Sequence, residues 1–183
     1  MRKEWILVAF FCFLTLTGCG SVGVLDSCRA PANGPKGVDN NLAACLQQMS
    51  GTHVQKERTG VSVTIPSDSL FQPDAGSVEL FNHADIVFLA NAWKKYPGTN
   101  LSIDVFTDCK HSEEKNLVLS ELEAWMIKQA LISCGVSADR ITVQGWGESK
   151  PVATNATVDG RKANRRVTVT FESGKSLAAL NKP

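Results

Sequence analysis

The sequence predicts an α+β domain, an α/β sandwich in which a mixed four-stranded sheet carries its helices on one face, behind a lead that ends near residue 60. Three observations predict it. Leu101-Ser102-Ile103-Asp104-Val105-Phe106 alternates as a strand and gives way, through a charged loop, to a helical pattern from Lys115. Val61-Ser62-Val63-Thr64-Ile65 alternates in the same way, and a second helical pattern follows it over 81–95. Two further apolar runs, Ile141 to Gln144 and Val167 to Phe171, then close the chain as a hairpin-like pair of strands. Two strand–helix units plus that pair give four strands, with both helices on one side.

At the start, Arg2 and Lys3 precede an apolar run, Trp5 to Leu16. That run is too short to cross a bilayer, which takes roughly 20 residues, so residues 1–18 read as a targeting segment that is removed. Its end, Leu16-Thr17-Gly18-Cys19, resembles the lipobox of bacterial lipoproteins. The resemblance implies cleavage before Cys19 and acylation of that residue, including palmitate; an ordinary signal peptide with a chance cysteine is the alternative. Several acyl chains on one residue make a stable anchor. Gly20 follows the cysteine where an Asp would imply retention at the inner membrane, so the expected location is the periplasmic side of the outer membrane.

Residues 19–60 read as a tether. Gly20 to Gly37 is rich in Gly, Pro, Ser, Ala and Asn and lacks periodicity. Asp39 is placed to cap a short helix, Asn41 to Met49, with Leu42, Cys45 and Leu46 on one face, and the chain is then a polar loop as far as Val61. Cys28 with Cys45 is the preferred disulfide, closing a short loop; Cys109 and Cys134 lie at opposite ends of a helix, beyond bridging distance.

The folded domain is expected over 61–172. Pro66 ends the first strand, and Ser67 to Gly76 reads as a turn-rich loop carrying Leu70 and Phe71. Ile86, Leu89, Ala90 and Trp93 give Phe81 to Lys95 a core-facing stripe, stopped by Tyr96-Pro97-Gly98. The next helix is expected to bury Leu119, Leu122, Met126 and Ala130, flanked by Val118, Trp125 and Leu131, and to end at Gly135. Residues 173–183 read as a loose tail.

The strand from Leu101 delivers Asp108 to its own mouth, and Asn116, Leu119, Ser120 and Glu123 fall at helical offsets of three, four and seven, so they can look toward the loop that holds it. Thr107-Asp108 followed by Asn116-x-x-Leu119-Ser120 resembles the OmpA-like domain, a βαβαββ fold that grips peptidoglycan. Gly145 to Val152 (Gly-x-Gly-Glu-Ser-x-Pro-Val) and Gly160 to Val167 match the family's wording in the same order. The resemblance implies that Asp108 and an Arg one helical step after Leu-Ser hold the amine and carboxylate of diaminopimelate. Here the position of that Arg is Glu123. Phe71, Ser77 and Leu80 resemble wall residues beside the ligand Asp, though Phe71 and Leu80 read equally well as core.

A carboxylate at 123 has the wrong sign for the ligand's carboxylate. Three routes keep binding: Glu123 swings out and Arg165 or Arg166 takes the carboxylate, Lys110 or Lys115 takes it, or the wall is amidated. The alternative is a vestigial pocket on a domain kept as an interaction platform. The implied partners are peptidoglycan, the outer membrane through acyl chains, and other envelope or secretion-complex proteins. A narrower resemblance is to lipoproteins of the Dot/Icm type IVB secretion system, with a general Tol-Pal-type lipoprotein as the alternative.

Charge is nearly balanced, at a formal +1, and no basic stripe appears, which argues against nucleic acid. Cys109 and His111 place a thiol near an imidazole on one loop without an oxyanion site, so no enzyme is expected. His53, His83 and His111 show no zinc spacing, and neither metal nor cofactor is expected.

Overall fold

The computed structural model describes residues 40–72, 79–96 and 98–173. In chain order the elements are α1 (Asn40–Leu46), β1 (His53–Lys56), β2 (Gly60–Pro66), α2 (Ser67–Leu70), α3 (His83–Lys95), β3 (Thr99–Phe106) and α4 (Glu113–Ser133). A 3-10 turn (Ala138–Arg140), β4 (Ile141–Gly145), α5 (Val158–Asn164) and β5 (Arg166–Ser173) follow. The strands form one sheet in the order β1-β2-β5-β3-β4.

That sheet has five strands where the sequence predicts four. The extra one, β1, was expected to be loop; it pairs antiparallel with β2, Val54 opposite Val63. Only Val54 in it is half-buried, so an edge strand this short has too little alternation to announce itself. The last two strands are also not a hairpin. β5 lies between β2 and β3, antiparallel to both, while β4 sits beyond β3 and parallel to it, reached through the α4 crossover. Burial explains the placement. Val167, Val169 and Phe171 are fully enclosed and demand the centre of the sheet, whereas β4 buries only its two ends.

The core lies on one face. Val63, Ile65, Leu101, Ile103, Val105 and the β5 residues point into it, and the intervening Thr64, Ser102, Asp104, Thr168 and Thr170 stay half-exposed on the other face. α3 supplies Ile86, Leu89, Ala90 and Trp93, as its spacing predicts, and Asn82 caps it by accepting the Asp85 amide.

α1 joins the same core. Leu42, Cys45 and Leu46 are wholly buried, each large side chain contributing roughly 1.5–3 kcal/mol. Among the described residues the packed unit therefore includes α1, upstream of the expected boundary at 61. Cys45 is disulfide-bonded, while Cys109 and Cys134 are thiols. Cys28, its expected partner, lies outside the described residues, as do Cys19 and Ser77.

α4 turns inward a face that is only partly the one expected: Met126 and Ala130 are half-buried against the core and Leu131 is enclosed, as predicted, but the rest of the face differs. Asn116, Ser120, Glu123, Ala124, Ile127 and Leu131 are buried, whereas Val118, Leu122 and Trp125 are exposed at 59%, 43% and 55%. The helix is apolar on several faces, so periodicity alone does not choose one. Close backbone approach does. A Cβ on Gly145 would lie 2.4 Å from the Glu121 amide nitrogen, and only a small residue such as Ser120 fits beneath it. The Gly145-x-Gly147 pair thus brings the helix onto the end of β4, with Gly147 in the left-handed region at φ +52.

Gly145→Ala should lower unfolding stability by about 1–3 kcal/mol, because the obstructing atoms are backbone and cannot rotate away. A denaturation midpoint unchanged from the parent would refute that origin of the helix orientation.

Candidate functional site

The site lies where β3 ends, α4 begins, α2 follows β2 and β5 starts. Each backbone is held by specific bonds. The Thr107 amide donates to the Gly147 carbonyl, the Gly147 amide donates to Ser120 Oγ at 2.9 Å, and the Ser67 amide donates to the Arg165 carbonyl at 3.0 Å. Asn116 Nδ2 donates to the His111 carbonyl and to Glu148 Oε2, tying the Asp108 loop to the helix and to the loop after β4. Ser112 caps α4 by accepting the Lys115 amide. Asn116 and Ser120 are thus positioning residues for two loops, and Leu119, on the next face round, is half-buried.

At the centre is Arg165. Its Nε and Nη2 donate in a fork to both oxygens of Asp68, at 2.7 and 2.6 Å, and its Nη1 donates to Asp108 Oδ2 at 2.7 Å. The other Asp108 oxygen accepts the Lys110 amide at 3.0 Å. Asp108 is nearly enclosed, with 5% of its side chain exposed, while Asp68 and Arg165 form the rim at 27% and 28%. A carboxylate presented openly to solvent was expected here; burial requires instead that the charge be paired, and Arg165 supplies the partner. The guanidinium beside Asp68 holds that carboxyl below the usual carboxylate range, and Asp68, then Asp108, raise the pKa of Arg165.

Glu123 lies beneath this cluster, buried, and accepts the Ser67 hydroxyl at 3.2 Å. Burial pushes its carboxyl up to about 7, with the charge of Asp68 adding to the rise and the Ser67 bond opposing it. It is not swung outward, as one route to binding would require.

Two expected contacts fall elsewhere. Phe71 is in the core and bridges to Leu80, closing the segment after α2. Arg166 points away from Asp108: its guanidinium stacks on Phe106 at 3.7 Å and donates to the carbonyls of Asn164 and Lys150. Lys110 and Lys115 are exposed. Ser67, Asp68 and Glu148 were not singled out in the sequence. The signal for the first two is weak: a Ser-Asp pair directly after Pro66 is a helix-start pattern.

The ion cluster thus joins the C-terminal end of a central strand to the start of the last one in a one-sided sandwich. The family model described as the OmpA family matches residues 70–165, and the chain belongs to that family. The Outer membrane porin F of Pseudomonas fluorescens is 39% identical over 111 residues, covering 61% of this chain and 34% of that protein. The Probable lipoprotein YiaD of Escherichia coli (strain K12) is 31% identical over 136 residues, covering 73% of this chain and 62% of that protein. This chain therefore spans between about a third and three-fifths of the length of these relatives. Among solved structures, the cell wall anchor of the T6SS from Pseudomonas aeruginosa superposes with a TM-score of 0.64 at 28% identity, covering 73% of this chain and 97% of that one.

Removing the Arg165 cation would leave Asp108 charged and buried. Arg165→Gln should therefore cost about 3 kcal/mol in urea unfolding, with Arg165→Lys recovering part of it; a loss under about 1 kcal/mol would show the pair to be dispensable. Glu123 makes a pH-dependent contribution of opposite character. Its carboxyl titrates at 4.5 when unfolded and about 7 when folded, so the folded state holds the proton more tightly between those values. Stability should fall as pH rises through that interval and settle lower by on the order of 3 kcal/mol above it. Glu123→Gln should flatten this slope and exceed the parent in stability at pH 8, and an unchanged slope would locate the titration elsewhere.

Proposed function

We propose that this chain anchors the bacterial cell envelope to peptidoglycan, without enzymatic activity. An OmpA-family domain sits behind an acylated Cys19 at the periplasmic face of the outer membrane, and its site around Asp68, Arg165 and Asp108 engages a cationic group of the wall peptide.

One observation carries this reading: a single guanidinium stands between two carboxylates. The cluster keeps a net negative charge, which grows when Glu123 ionises. Asp68 lies at the rim, where an arriving ammonium can reach it. The placement at the end of β3 supports the same reading, as do relatives named a lipoprotein and a cell wall anchor. Asn116 and Ser120 serve by holding the loops, and Glu123 by supporting α2 through Ser67.

A second reading is a platform for other envelope proteins, including a secretion complex of the Dot/Icm type. The apolar stripe of Val118, Leu122 and Trp125 on the outer face of α4 favours it.

Co-sedimentation of the full chain carrying Cys19→Ser with purified sacculi separates the two. Asp68→Asn and Asp108→Asn should each weaken pelleting at least about tenfold, the effect of losing one charged hydrogen bond. Folded variants that pellet as well as the parent would remove the wall-binding assignment.

A further inference from the structure

Arg165, whose guanidinium faces Asp68 and Asp108, also lines a second space. A cavity of about 390 Å³ opens where β1, the end of β2, α5 and the start of β5 meet. Its wall includes His53, Thr64, Asp159, Lys162, Arg165 and Arg166. Asp159 is the one carboxylate among the lining residues, against three cations. Arg165 is already neutralised by its two aspartates, which leaves Lys162 and Arg166 against Asp159 in the lining, an excess of one positive charge.

Neither Lys162 nor Arg166 has a carboxylate within 4.0 Å among the described residues. Arg166 is fixed over the Phe106 ring, with its terminal nitrogens on two carbonyls. Carbonyls orient a guanidinium and leave its charge intact. Lys162, on α5, is exposed, and it is near enough to Asp68 for its charge to help lower that carboxyl's pKa. The basic cavity and the acidic cluster are therefore neighbours, divided by the Arg165 side chain.

We propose that this cavity is an anion subsite, taking a carboxylate of the same wall peptide whose cationic group lies against Asp68 and Asp108. The inference rests on the wall-binding reading above. A ligand bearing both charges needs a positive partner in register with the acidic one, and Glu123, buried on the helix, cannot be it. Lys162 and Arg166 supply that partner from α5 and β5, and β1 and the end of β2 close the far wall through His53 and Thr64. Asp159, one helical turn before Lys162 on α5, turns away a second carboxylate and so limits the subsite to one.

Isothermal titration of the full Cys19→Ser chain tests this, using a synthetic wall tetrapeptide with a diaminopimelate residue, as its free acid and with every carboxyl amidated. Amidation should weaken binding to the parent about tenfold. Lys162→Gln should weaken the free acid by a similar factor and leave the amidated peptide unchanged, while Asp68→Asn should weaken both alike. Equal affinity of the parent for the two peptides overturns the anion subsite and leaves wall binding standing. Binding of neither peptide overturns both.

Discussion

The hydrogen-bonded pairing of one guanidinium with two carboxylates helps fix how the ends of three elements meet. Asp68 comes from α2, Asp108 from the exit of β3, and Arg165 from the turn into β5, positions separated by tens of residues whose side chains meet in this contact. A carboxylate as enclosed as Asp108 is tolerated only when it is paired and hydrogen-bonded, so the fold around it is constrained to deliver Arg165. The same arithmetic that stabilises the cluster gives it its chemistry: two negative charges and one positive leave a residual field at the rim.

α4 shows how the site and the core divide one helix between them. Its first half turns polar residues inward, where Asn116 and Ser120 bond the loops after β3 and β4, and its second half turns Ile127 and Leu131 into the core. The helix can come this close because Gly145 and Gly147 carry no side chain there. Apolar residues displaced from the interior, Val118, Leu122 and Trp125, face solvent instead. One element thus positions the charged site at its start and offers a greasy outer face along its middle.

Much of this was legible in the sequence, and what was hidden has physical causes. The strands β2, β3 and β5 alternate cleanly because one face is buried and the other wet, and the motif order around Asp108, Gly145 and Arg165 points to the family. β1 was hidden because an edge strand with one apolar residue has no pattern. The inward face of α4 was only partly legible because apolar residues occur all round it, and the deciding factor, a backbone contact with Gly145, leaves no periodic trace. Asp68 was missed because its partner lies across the whole domain, and pairing at that range has no local signature. Glu123 was read as a surface or site-facing charge; a buried carboxyl held by a serine hydroxyl looks no different in a list of residues.

The chain enters the described fold through α1 and then β1, at the outer edge of the sheet rather than its middle. Tension arriving from upstream would meet α1 first, clasped by Leu42 and Leu46, and only afterwards the antiparallel β1–β2 ladder. Antiparallel pairs loaded from one end open a rung at a time, so the edge would peel under modest force while β5, β3 and the charged cluster stay in place. Such a seam would act as a mechanical fuse, lengthening the chain at its edge while the strands that carry Asp108 and Arg165 stay paired.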